Sequence, residues 1–171
     1  MNILKVIATA TILMASSVAL AGKIVVFDAQ TAILQTNKAK ARMDSLQKKS
    51  EYASLVAQAE GFKAELESLS KTAESKGLTW SQEQLAEHRK TVQSVQQDFQ
   101  FVVQKIQKEN DDLVKGLLAE GQKDIPMVLE QLVKSDDIEI ILRKEAAYFA
   151  LPTVDITAKV IAELNKADSA N

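Results

Sequence analysis

The chain of 171 residues carries 46% hydrophobic and 26% charged side chains but only 5% aromatic ones, with a formal net charge of −2 and no cysteine. Such a composition fits a helix-rich, solvated protein; it excludes stabilisation by disulfides and supplies no strongly basic field for nucleic acid. One His without any Cys also excludes a structural zinc site.

Residues 1–21 read as a secretory signal peptide. Lys5 gives the positive start, Val6 to Leu20 is mostly apolar and uncharged, and Ala19-Leu20-Ala21 is a small-x-small cleavage signal before Gly22. A membrane anchor would need about 20 apolar residues, and Thr9, Thr11, Ser16 and Ser17 dilute this run. Cleavage after Ala21 removes Lys5, leaving 20 basic against 23 acidic side chains, a net charge of −3.

Ile24-Val25-Val26-Phe27 is apolar on both faces, as in a central strand. Beyond it lies a long helical hairpin. Leu55, Ala59, Phe62, Leu66, Leu69 and Ala73 alternate at spacings of four and three, and Leu85, Val92, Val95, Phe99, Val102, Ile106 and Leu113 continue the rhythm past a turn. Residues whose numbers sum to about 158 then face each other, among them Leu66 with Val92 and Tyr52 with Ile106. A first helix from Leu34 to Ser75 would reach on the order of 60 Å, too thin an arm to enclose an enzyme pocket.

At the turn, Gly77 offers a positive φ to close the first helix. Ser81 and Gln84 fit a capping box, with Trp80 and Leu85 as its hydrophobic staple. On the second helix Gln93, Gln97, Gln100, Gln104 and Gln107 recur at the same spacing, one residue round from the apolar seam. Amides donate and accept hydrogen bonds, so this stripe, with Val103 and Ala57 at its edge, is a candidate client-contact surface. The plainer account is that Gln is a good helix former on a solvated face. Leu78 and Trp80 are the candidates for contact at the arm tip.

Gly121 and Pro126 predict that the arm helix ends or bends there. A short amphipathic helix follows at Val128, Leu129, Leu132 and Val133, then a second strand in which Ile138, Ile140 and Leu142 share one face. Ala146–Ala150 reads as a third short strand. Pro152 stops it, and Asp155 is placed to cap a last helix bearing Ile156, Val160, Ile161 and Leu164. A body of roughly 60 residues buries a marginal fraction of its surface, which predicts a closed cyclic oligomer with a shared β-rich core.

The strand Lys23 to Asp28, the hairpin, Ile138-Glu-Ile-Ile-Leu142, Ala147-Tyr148-Phe149-Ala150, Pro152 and Asp155-Ile156-Thr157 with Val160-Ile161 together resemble the Skp/OmpH family of periplasmic chaperones. The resemblance implies an α+β, mostly α fold: a long antiparallel coiled-coil hairpin projecting from a small β-body that trimerises into a barrel, like a jellyfish. Its divisions are 22–34 and 120–171 for the trimerisation body and 35–119 for the arm, with the tip near 76–81. Val25, Phe27, Ile140, Leu142, Tyr148 and Phe149 are the trimer-core candidates. The implied activity is ATP-independent holding of unfolded outer-membrane β-barrel proteins in the periplasm, by a homotrimer without cofactors.

Best-known members of that family are strongly basic. Here Lys71, Lys76, Arg89 and Lys90 near the tip are matched by Glu67, Glu74, Glu83 and Glu87, which weakens direct attraction to anionic lipid and leaves membrane contact open. His88 reads as a solvated helix position, and Glu109, Asp111 and Asp112 as solvated charges without calcium-loop spacing. No catalytic or metal-ligating constellation is expected. Three classes therefore stand in order: an exported holdase; a structural or adaptor protein docking its hairpin tip on an envelope partner; and an enzyme.

Overall fold

The computed structural model describes residues 22–170, and the predicted leader lies outside the described residues. Lys23–Phe27 forms β1 and Ile138–Arg143 forms β2. The two strands pair in parallel, Ile24 opposite Ile140 and Phe27 opposite Arg143. A parallel pair needs a crossover connection, and here the crossover is the entire hairpin.

Lys23 stands opposite Ile138 but Ile24 opposite Ile140, so Glu139 is an extra residue in β2. One added residue reverses strand parity. Ile138 is buried and Ile141 half-buried, whereas Ile140 (46%) and Leu142 (41%) are exposed. The expected common face for Ile138, Ile140 and Leu142 is corrected by this bulge.

The first arm helix is also corrected, from one continuous run to α1 (Ala29–Leu34), α2 (Asn37–Lys48) and α3 (Ser50–Lys76). Thr36 makes the first break: its hydroxyl donates to the Ile33 carbonyl at 2.9 Å and accepts the Ala39 N–H at 3.1 Å. Such local bonding competes with helix continuation. The second break is a single extended residue, Lys49 (φ −65°, ψ 131°), which carries no Gly or Pro signal.

Beyond the tip, α4 runs unbroken from Gln82 to Asp136, 55 residues or roughly 80 Å. It passes through both Gly121 and Pro126, where the sequence predicts an end or a bend, and it ends at neither. An interior proline costs about 3 kcal/mol, but Ile125, Val128 and Leu132 around it are buried at roughly 1.5–3 kcal/mol each. Packing therefore outweighs the lost hydrogen bond. Gly121 is present for closeness: a Cβ built there would lie 2.6 Å from Ile33 Cγ2. The helix ends where Asp137 turns left-handed (φ 52°).

After β2 come two 3₁₀ turns, Lys144–Ala146 and Pro152–Val154, and then α5 (Thr157–Ala170). Ala147–Ala150 is not a strand, contrary to expectation. The place beside β1 is taken instead by the start of α5, where the Ile156 N–H bonds the Val26 carbonyl at 2.9 Å and Asp155 bridges to Val26. Val25, Phe27, Ile33, Val128, Val160 and Leu164 meet in one core beneath the sheet.

Candidate binding surfaces on the arm and body

In the arm, α3 and α4 pack antiparallel over a seam that is only partly closed. On α3, Leu55, Ala59, Phe62, Leu66, Leu69 and Ala73 are all half-buried; on α4, Val95 and Val102 are buried while Leu85, Val92, Phe99 and Ile106 are half-buried. Two helices alone cannot surround such side chains, so apolar edges stay in contact with solvent along the arm. The register is fixed by Tyr52, whose hydroxyl accepts from the Asn110 amide at 3.0 Å.

That contact also marks one side of the hairpin. Val56 lies one turn from Tyr52, and Gln107 and Val103 lie one and two turns from Asn110, which helical spacing puts on the same side. There the arm carries an open groove of about 450 Å³ lined by Gln47, Tyr52, Ala53, Val56, Ala57 and Glu60. The predicted Ala57 is part of it. All five glutamines of the stripe are exposed, and so is Val103 (38%). Reasoning from sequence missed Phe101, 57% exposed, with Lys105 Nζ 4.3 Å over its ring; its place immediately before the seam residue Val102 was the available signal.

At the tip, a 3₁₀ turn spans Gly77–Thr79. Gly77 has φ −57° rather than the expected positive value, because the turn tightens the end of α3 right-handedly instead of reversing it. The predicted capping box is present, with the Gln84 N–H donating to Ser81 Oγ at 3.2 Å and the Ser81 N–H to Gln84 Oε1 at 2.9 Å. Ser81→Ala is expected to cost about 1 kcal/mol and to speed amide exchange in the first turn of α4 while leaving the body's exchange unchanged. Trp80 packs on His88, ring centroids 4.6 Å apart, so this histidine is half-buried rather than solvated. Leu78 is fully exposed.

At the arm's root, Arg42 Nη1 lies 2.7 Å from the Glu120 carboxylate and holds its pKa below the ordinary value. Lys38 adds a bridge to Asp168 at 3.4 Å. In the body, the Asp28 N–H donates to Thr157 Oγ1 at 3.0 Å, that hydroxyl donates to Asp155 Oδ1 at 2.6 Å, and Lys144 Nζ donates to Asp155 Oδ2 at 2.7 Å. The Lys144 ammonium and the Thr157 hydroxyl lower the Asp155 pKa to about 2. Asp28 itself caps α1 by accepting the Thr31 N–H at 2.8 Å. This network ties the end of β1 to the start of α5.

The six trimer-core candidates divide. Val25 and Phe27 are buried in the protomer's own core, because the inner face of β1 packs on the helices. Ile140, Leu142, Tyr148 and Phe149 are exposed, the last two almost completely. Among the described residues no group of acidic, His or Cys side chains is arranged to hold a metal ion, and no helix is long and apolar enough to cross a membrane.

No curated protein matches this chain. Among solved structures it is similar to that of a protein named as an OmpH-like outer membrane chaperone from Caulobacter crescentus, with 23% identity, 85% of each chain covered and a TM-score of 0.46. The family described as outer membrane protein (OmpH-like) matches residues 23–164. That span runs from β1 into α5, and the chain belongs to the OmpH-like family.

Proposed function

We propose that this chain is an ATP-independent periplasmic holdase, a non-catalytic chaperone that encloses unfolded outer-membrane β-barrel proteins between helical arms and keeps them from aggregating. The body, 22–34 and 120–171, would join three copies, and the arms, 35–119, would project around a common cavity. The observation that carries this reading is the half-open seam: many apolar edges, none buried enough to bind tightly alone, spread along an arm tens of ångströms long. Numerous weak contacts hold an extended apolar chain and still release it, so no nucleotide is needed. The groove at Ala57 and the exposed Val103 add further apolar contact, and the exposed glutamines add polar partners for client backbone.

The test is the light-scattering mass of residues 22–171, alone and after mixing with a urea-unfolded outer-membrane barrel protein diluted into buffer without nucleotide. A trimer that becomes a discrete soluble trimer–client complex is expected; precipitation of the client overturns the reading. Replacing Gln93, Gln97, Gln100, Gln104 and Gln107 together by Glu is expected to weaken client affinity about tenfold without lowering helix content. Unchanged affinity would remove the stripe from the client surface.

A second reading rests on Leu78, an apolar side chain fully exposed at the tip. As an adaptor, the arm would dock there on one folded envelope partner. Breadth of binding separates the two: a holdase retards aggregation of several unrelated unfolded barrels and tolerates Leu78→Ser, whereas an adaptor selects one partner and loses it.

A further inference from the structure

At the carboxyl ends of the two strands the body opens into a crevice of about 540 Å³ between α1, α4 and the end of β2. Its apolar lining is Phe27, Ala29, Ile33, Leu118 and Ile125. Gln122 and Pro126 also line it, and Pro126 has no N–H to offer the carbonyl four residues before it. The Gln122 carbonyl therefore lacks its ordinary helix donor, in a crevice whose apolar side faces a polar one formed by Gln30, Arg143 and Glu145. A fitting occupant is an aromatic ring that carries a hydroxyl.

The same body presents such a ring without a place for it. Tyr148 is fully exposed and Phe149 nearly so, on the segment between the two 3₁₀ turns. An aromatic side chain contributes roughly 150–250 Å² of surface. With Ile24, Ile140, Leu142 and Leu151, also exposed, the pair brings the body's open apolar surface toward the roughly 800 Å² that each partner covers in a standard interface. A second copy supplies both the missing cover and the missing donor.

We infer that Tyr148 of one copy seats in the crevice of a neighbouring copy, its ring on Phe27, Ile33 and Ile125 and its hydroxyl donating to the Gln122 carbonyl, while Phe149 covers the rim. This inference rests on the homotrimer reading and names the contact that closes it. The contact is head-to-tail, which allows a closed ring of copies.

The absence of cysteine permits a direct test. A chain carrying Ala147→Cys, which leaves both rings in place, is unfolded in urea together with a differently tagged chain carrying Gln122→Cys, and the two are refolded as a mixture and treated with a short bismaleimide. A covalent pair of unlike chains is expected, and Tyr148→Ala in the first chain is expected to abolish it and to weaken self-association about 30-fold. An oligomer by light scattering with no unlike-chain product overturns this contact and leaves the trimer reading standing. A doubly substituted chain, diluted into excess unsubstituted chain, that links only within itself overturns the contact as well. A monomeric mass removes the trimer reading, and this contact with it.

Discussion

Alanine at Gly121 is expected to destabilise the body by about 1–2 kcal/mol, whereas alanine at Gly61 or Gly116 is expected to stabilise the arm by about 0.5–1 kcal/mol each. All three glycines lie inside helices, so helix propensity alone predicts the same gain at each. What differs is the space around them. A Cβ at Gly121 would stand 2.6, 2.7 and 3.1 Å from Ile33 Cγ2, Cγ1 and Cδ1. Ile33 is buried, and with both branches of its side chain close, rotating one of them away does not clear the site. At Gly61 and Gly116 nothing lies within 4 Å of the added atom. Urea unfolding at fixed protein concentration measures the difference, and Ile33→Ala in the Gly121→Ala background supplies the coupling. Gly121→Ala matching the unmodified chain would mean that α1 and α4 separate easily and that the close approach of Ile33 to Gly121 contributes little to stability.

The arm was legible because its signal is long. The four-three alternation from Leu55 to Ala73 and from Leu85 to Leu113 repeats often enough to outvote local noise, and every one of those side chains is buried or half-buried. The capping box was legible because Ser81 and Gln84 act through adjacent backbone. The breaks at Thr36 and Lys49 were not, since one extended residue at Lys49 leaves no compositional trace. Nor was the continuation of α4 through Pro126: the proline is a local penalty, and Ile125, Val128 and Leu132 offset it through contacts that only the folded core creates. Propensity misleads where tertiary packing is worth more.

The body's surface was legible only in part, for a reason of parity. Reading Ile138, Ile140 and Leu142 as one face assumes an unbroken period of two, and the bulge at Glu139 breaks it. Ile138 goes to the core while Ile140 and Leu142 turn outward, so a single inserted residue divides one apolar strand between the body's own core and its open surface. Likewise the aromatic pair Tyr148-Phe149 lies outside any strand because Asp155 and Ile156 take the place beside β1. Both rings are thereby left open.

Asp155→Asn is expected to lower stability at pH 7 by about 2 kcal/mol and to flatten part of the acid limb of the stability curve. The carboxylate accepts from Lys144 Nζ, the Thr157 N–H and the Thr157 hydroxyl, and these donors lower its pKa from 3.8 to about 2. A group held lower in the folded state than in the unfolded one stabilises the fold fully above its unfolded pKa. That stabilisation fades as pH falls from about 5 through the folded value of about 2, and is gone only below it, where folded and unfolded chains both bind the proton. Asp28 and Asp136 are lowered as well, so acid weakens the unmodified chain further; the share due to Asp155 is the difference between the two proteins' slopes over that window. The asparagine keeps an oxygen for the Thr157 N–H but loses the ion pair, and the variant should therefore be less stable at pH 7 and nearly equal to the unmodified chain at pH 2. Parallel acid limbs with a constant offset would assign the loss to packing. Because Thr157 passes the Asp28 N–H on to this carboxylate, weakening it loosens α5 from β1 together, and amide protection of Ile156 and Val160 should fall before that of the arm.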